Sequence, residues 1–170
     1  MTRVALTGTP GTGKTTVGEI VAERTGVDVI HLNDAIREEE LYTERDAERD
    51  SLVTDLDAVE EWLGEWDGVL ESHLAHHFDA DIAVVLRCHP EELERRLRER
   101  GESEAKAREN AESEALDVVL AETVERFGGD TIYEIDTTDR DPEDVATDVV
   151  AAIEGESEPR VGVVDFIEYL

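Results

Sequence analysis

Lysine is almost missing from this chain. Lys14 and Lys106 are the only two, and 16 basic residues face 45 acidic ones for a formal charge of -29. Such a shortage removes the basic face that a phosphate backbone requires, so direct tight binding to nucleic acid is not expected. A single cysteine, Cys88, excludes an internal disulfide framework and fits a reducing compartment. No run of about 18 apolar residues occurs, so no membrane-spanning helix is expected. Glycines arrive where a secretory signal would carry its apolar region, and the expected location is cytoplasmic. Aromatic residues make up only 5% of the chain, which together with high net charge often means disorder. Here apolar residues instead recur in clean strand-like and helix-like patterns, so that reading is rejected for all but the last segment. Acidic side chains standing where lysines usually do suit very high salt, where screening within a few Å relieves self-repulsion. Loosening of the fold at low salt is the corresponding expectation.

What is present alternates. RVALT (3–7) reads as a buried strand and Thr15 to Arg24 as a helix. Val27 to His31 reads as a second strand, and the polar stretch from Asn33 to Asp55 as a short helix followed by a mobile loop. Leu56, Val59, Trp62 and Leu63 recur at helical spacing. GVLE (68–71) and DIAVVLRC (81–88) read as strands, and Pro90 opens a charged helix at a favoured first-turn position. One further helix is expected to carry Ala115, Leu116, Val119, Leu120 and Thr123. Thr131 to Ile135 forms the last strand and Pro142 to Ile153 the last helix, before a tail that docks on the body or on a partner. No internal repeat is visible. Strands alternating with helices imply one α/β domain of about 154 residues, with a parallel sheet covered on both faces.

The stretch GTPGTGKT (8–15) matches G-x-x-x-x-G-K-[ST] between a strand and a helix, as a phosphate-binding P-loop requires. Gly11 and Gly13 let backbone N–H groups point inward at an anion, and the helix N-terminus adds partial positive charge. Lys14 would reach the β- and γ-phosphates of a nucleoside triphosphate, and the Thr15 hydroxyl would sit on Mg²⁺, with Thr16 beside it. The site therefore calls for ATP or a relative.

The N-K-x-D segment that reads guanine in GTPases is absent, and so are the D-G-x-P-R pattern and four-cysteine lid of common adenylate kinases. GTPGTGKTT, LNDAIREEELY, VLESH, VVLRC, ERRLRERG with KARENAESEAL, and YEIDTT follow one another along nearly the whole chain. In these the sequence resembles the adenylate kinase isoenzyme 6 family, nucleotide kinases tied to small-subunit ribosome assembly, and its acidity is that of a halophilic archaeal member. The resemblance implies a P-loop NTPase fold with a five-stranded parallel sheet, an AMP-binding segment over about 31–54, a short lid over about 99–109 and a tail from 155 to 170. It implies transfer of the ATP γ-phosphoryl to AMP with Mg²⁺. It also implies a rival activity: an ATPase switch that handles a ribosomal protein of the small-subunit platform during late 16S rRNA maturation. A third option is phosphorylation of another small metabolite such as gluconate or shikimate.

Residue by residue, Arg37 would clamp the AMP phosphate, since an arginine fork suits a pair of phosphate oxygens, while its plain alternative is a helix-surface ion pair. Asp34 would orient the acceptor or a metal-bound water. Glu71 would hold Mg²⁺ through water; the family usually has Asp-x-His where this chain has Glu71-Ser-His73. His73 would steer an attacking water. His73, His76 and His77 are an alternative set of metal ligands, for which no carboxylate or cysteine set is expected to complete a zinc site. Glu91–Arg95, Glu92–Arg96 and Glu94–Arg98 are spaced as i,i+4 pairs, whereas Arg100 has Arg96 four residues earlier. Arg100, just before Gly101, also matches the lid arginine of that family, and the resemblance makes it the candidate for neutralising charge on the moving phosphoryl group, with Lys106 and Arg108 either covering the phosphates or facing solvent. Asp136-Thr-Thr138 would meet the adenine through backbone groups.

Overall fold

A computed structural model describes residues 2–46 and 51–170. Along the chain run β1 (Arg3–Gly8), α1 (Lys14–Thr25), β2 (Val29–His31), α2 (Leu32–Glu38), β3 (Tyr42–Asp46), β4 (Ser51–Thr54) and α3 (Leu56–Leu63). They are followed by β5 (Gly68–Glu71), β6 (Ile82–Arg87), α4 (Pro90–Glu99), α5 (Glu104–Ala115), α6 (Val118–Phe127), β7 (Ile132–Asp136) and α7 (Pro142–Ile153). Five strands pair in parallel in the order β2-β5-β1-β6-β7, the architecture expected from the alternating pattern. β1 lies at the centre, and the chain leaves it first toward β2 and β5, later toward β6 and β7. Ligands of such sheets collect at the carboxyl ends of the strands where this reversal occurs, and here that edge carries the P-loop.

Strand alternation sorts the core into two layers. Val4, Leu6, Val84, Leu86, Tyr133 and Ile135 face α1 and α7, meeting Val17, Val21, Val145 and Val149. On the other face Ala5, Leu70 and Ala83 meet Leu32, Ile36 and Val59 of α2 and α3, and Val85 with Ile132 meets Val119 and Leu120 of α6. Burying a valine or leucine of this kind contributes about 1.5–3 kcal/mol, so the sheet's two faces hold the domain together. Caps set the helix starts: Asp55, Ser103 and Asp141 accept from the backbone N–H of Ala58, Lys106 and Glu143, and Pro90 and Pro142 fill first-turn positions.

Two expectations change, and a third, open between body and partner for the tail, is decided. The stretch after α2 is not simply a loop: β3 and β4 form an antiparallel hairpin whose Tyr42 and Leu52 pack against the α2–α3 layer. The expected loop character of residues 47–50 lies outside the described residues. The single helix around residues 115–123 is two, because Asp117 takes a left-handed conformation (φ 56°) between α5 and α6 and leaves Leu116 exposed. The tail docks on the body. Arg160 pairs with β7 as a parallel bridge beside Tyr133, and Phe166 sits against His89 and Arg87. No described helix is long and apolar enough to cross a membrane.

Candidate active site

α1 has no side-chain cap. Its N-cap is Gly13, at φ 97°, so no capping side chain takes up the first N–H groups of the helix, which is what an anion site there requires. Gly11 is fixed by space as well as by φ 95°: an added Cβ would lie 2.9 Å from Leu93 Cδ1 and 3.0 Å from Leu97. A larger residue would push α4 off the loop. Thr9 anchors the loop from below, its hydroxyl donating to Glu114 Oε1 at 2.8 Å.

Lys14 is buried and donates to Thr9 O at 3.1 Å, folded back over its own loop. Burial, with Arg100 adding to it and Glu71 opposing, lowers its pKa to about 8. Thr15, in the first turn of α1, donates to Glu71 Oε1 at 3.0 Å. Glu71, 4% exposed at the end of β5, is also 2.8 Å from His31 Nδ1 at the end of β2. Two strand ends and a helix start therefore fix one carboxylate. These hard oxygens, a hydroxyl and a carboxylate, are the donors that Mg²⁺ takes alongside its retained waters. The longer glutamate arm reaches Thr15 directly.

His73 follows on the same loop, with Asn33 Nδ2 3.4 Å from its Nδ1, and Asn33 Oδ1 accepts from Ser72 Oγ at 2.7 Å. Burial, then the charge of Lys14, pushes the His73 pKa down to about 4, so its ring is neutral at pH 7. Arg37 and Asp34 are exposed on α2 and pair loosely with each other, at 3.9 Å. Arg100 is exposed at the end of α4 with no ion-pair partner among the described residues. Lys14, Thr15, Asn33, Asp34, Arg37, Glu71, His73 and Arg100 line one cleft of about 1020 Å³, along with Pro10, Gly11, Gly13, Thr16, Tyr42, Leu52 and Lys106. A second hollow of about 310 Å³ lies at the amino-terminal edge of the sheet, lined by Thr2, Gly26 and Gly68 among others, and has none of these groups.

Comparison with known proteins bears on the family and the fold. Residues 4–117 match the family model of an AAA domain. Proteins called "Putative adenylate kinase" from Natronomonas pharaonis and Halobacterium salinarum are 62% and 52% identical to this chain, each over 99% of both partners. The protein of that name from Methanocaldococcus jannaschii is 40% identical over 98% of this chain and 93% of its own. The chain belongs to this archaeal adenylate kinase family. Among solved structures, a shikimate kinase from Bacteroides thetaiotaomicron superposes with a TM-score of 0.61 at 24% identity, over 91% of this chain and 98% of its own. A deoxyadenosine kinase from M. mycoides reaches 0.55 at 13%, over 89% and 99%. At such identities the likeness is one of fold, and the fold is that of P-loop kinases.

In this kinase the structure brings Lys14, Thr15, Thr16, Glu71, His73, Arg37, Asp34 and Arg100 to a single cavity. Lys106 lines it too, paired with Glu102 at 3.7 Å, while Arg108 lies outside the lining and pairs with Glu112 at 3.5 Å. The Glu92–Arg96 and Glu94–Arg98 pairs form at 2.6 and 2.5 Å, but Arg95 pairs with Glu92 rather than Glu91. Thr137 N–H and Thr138 N–H are already committed, to Arg87 O and Asp136 Oδ1, so adenine would have to meet carbonyls there instead.

Sequence reasoning missed His31, Asn33, Glu114 and Arg96. Arg96 reaches Gly11 O at 3.4 Å and Thr137 O at 3.3 Å, bridging the P-loop to the loop after β7. Its place in a row of i,i+4 pairs hid this, because one bond to Glu92 leaves the other donors of the guanidinium for longer-range bonds. The expectation that no carboxylate accompanies the histidines is also overturned, since α6 carries Glu122 to His76 and His77.

Proposed function

We propose that this kinase is an ATP:AMP phosphotransferase, moving the γ-phosphoryl of ATP to AMP with Mg²⁺ and leaving two ADP. One observation carries the reading: in a chain of charge -29, both lysines line the same cleft as Arg37 and Arg100, and these two arginines have no ion pair shorter than 3.9 Å among the described residues. Positive charge so concentrated in an acidic molecule focuses the field where two phosphate chains would meet.

ATP would lie with its β- and γ-phosphates over the N–H groups of residues 11–15. Lys14 would turn from Thr9 O to those phosphates. Thr15 and Glu71 would hold Mg²⁺, whose charge offsets that on the phosphate oxygens. Arg37 would grip the AMP phosphate with Asp34 orienting it, in a segment from about residue 31 to 54. Arg100, at the head of a lid over about 99–109, would neutralise the γ-phosphoryl as its bond to the ADP oxygen breaks and its bond to the AMP oxygen forms. The chain's contribution is alignment and charge in a space closed to water.

An ADP-forming assay in molar KCl with a panel of monophosphates tests this. AMP should be the best acceptor, and Lys14→Ala or Arg100→Ala should lower turnover by about a hundredfold to a thousandfold. No turnover above the Lys14→Ala control with any monophosphate rejects the reading.

The position of His73 favours a second activity on the same site. A neutral imidazole in the cleft, its Nδ1 accepting from Asn33, keeps its proton on Nε2 and can donate from there to a water, holding it at the γ-phosphate when no AMP is bound. His73→Ala should then reduce AMP-independent phosphate release more than ADP formation. The strongly acidic surface would suit a basic small-subunit ribosomal protein as partner in 16S rRNA maturation. A pull-down at high KCl that recovers none counts against that role.

A further inference from the structure

Three side chains converge at the cleft wall, two lining it and one buried behind it, without a part in the phosphotransfer. His76 and His77 occupy the 3₁₀ turn Ala75–His77 after β5, and Glu122 comes from α6, 46 positions from His76. One ligand atom from each lies within 4.8 Å of the other two. The His76 ring is 1% exposed, with Nδ1 2.7 Å from Thr7 Oγ1 and Nε2 3.0 Å from Glu122 Oε1. His77 stacks on it at 4.3 Å between centroids. Both His77 and Glu122 line the cleft, so the cluster opens to solvent.

We propose that His76, His77 and Glu122 bind one divalent ion of borderline softness, with Zn²⁺ the best match, at a site separate from the one for Mg²⁺. Two imidazole nitrogens and a carboxylate oxygen make the three-protein-ligand set that Zn²⁺ takes, leaving a fourth position for water. Mg²⁺ prefers all-oxygen donors and finds them at Thr15 and Glu71.

The support behind His76 fits as well. A ligating histidine needs its other ring nitrogen bound to an oxygen, and Thr7 supplies one from the end of β1. On ion entry the ring proton leaves Nε2 for Nδ1, and the Thr7 hydroxyl turns from donor to acceptor. The proton count is unchanged and the Nε2 lone pair is freed for the ion. Glu122, about half exposed, has room to move from hydrogen-bond distance to ligand distance. Hydrogen bonds to Thr7 and Glu122 would by themselves account for a buried His76. They leave unexplained why His77, with no side-chain hydrogen bond among the described residues, stacks beside it on the cleft wall.

Titration of the intact, EDTA-stripped protein with ZnCl₂ tests the site, in molar KCl with excess Mg²⁺ and no nucleotide. Calorimetry should give one Zn²⁺ per chain, and CoCl₂ should raise the visible bands of a tetrahedral site. His77→Ala and Glu122→Gln, both at partly exposed positions, should weaken binding at least tenfold, Thr7→Val about 10–100-fold, and His89→Ala not at all. His76→Ala risks unfolding, which is why the exposed partners carry the test. No heat with Zn²⁺, or binding undiminished in both His77→Ala and Glu122→Gln, overturns the site. Because nucleotide is left out, the result stands whether or not the phosphotransfer reading does.

Discussion

At Lys14 a buried amine lines the cleft in which the proposed polyphosphate would bind. Its pKa of about 8 means that at pH 7 the empty site keeps its positive charge, and that above pH 8 the amine increasingly sheds its proton. A polyphosphate restores the incentive to stay charged, so its binding raises the Lys14 pKa back toward or past the ordinary 10.5. The sign follows. Below pH 8 the amine is protonated with or without ligand, and affinity carries no pH dependence from it. Between about 8 and 10.5, binding must take up a proton, so affinity falls as pH rises, by up to about tenfold per unit. Calorimetry of metal-free ATP binding at pH 9, in buffers of different ionisation enthalpy, should report close to one proton taken up. Lys14→Arg, permanently charged, should abolish the uptake even if it binds less well. Uptake that persists in Lys14→Arg would assign the proton to another group.

Among the elements, α5 does more than the sequence shows. Glu114, 1% exposed near its C-terminal end, accepts from Thr9 of the P-loop, from Arg87 Nε at 3.1 Å and from Cys88 N at 2.8 Å. Arg87 in turn donates to Glu134 of β7 at 2.7 Å, and Glu134 accepts from the backbone of Gly162 and Val163 in the tail. One chain of bonds thus runs from the P-loop through the sheet to the C-terminal tail at Gly162 and Val163. Removing one partner of a buried pair leaves the other charge uncompensated, at a cost of about 3–5 kcal/mol. Glu114→Ala should therefore lower stability by about that much in denaturant unfolding, and should weaken ATP by loosening Thr9. An unchanged unfolding midpoint would mean that Arg87 finds sufficient partners in Glu134 and Asp117. None of this was legible beforehand. The β1–P-loop–α1 unit, the apolar runs of β5, β6 and β7 and the proline-led helices were, because each is written in local pattern and capping. The Arg87 network, the Glu122–His76 contact and the β3–β4 hairpin join residues far apart in sequence or alternate weakly. The α5–α6 break depends on one non-glycine residue, Asp117, that Arg87 helps to hold in a left-handed conformation.

For the whole molecule, net charge decides under what conditions the fold exists. Basic side chains are largely spoken for: Arg24 pairs with Glu143, Arg126 with Asp79, Arg140 with Asp148, and Arg87 with three carboxylates. The surplus acids stand on the surface, as Glu60, Glu61 and Glu65 do in and just beyond α3. Their repulsion is long-ranged in dilute salt, where the screening length is about 10 Å at 0.1 M, and collapses to about 3 Å at 1 M. The unfolded chain spreads the same charges apart and suffers less, so low salt selectively destabilises the compact state. Thermal unfolding should shift upward by about 10 °C or more between dilute and molar KCl, equivalent to about 3–5 kcal/mol for a chain of this size. Screening can be separated from a general solvent effect. Sucrose, which strengthens burial without screening, should reproduce only part of the gain. A Glu60→Gln, Glu61→Gln, Glu65→Gln variant, in which three neighbouring charges are gone, should gain stability in dilute salt and show a flatter rise with KCl. An equal rise in the variant and the parent would place the salt requirement in burial of apolar surface rather than in the charge of the surface.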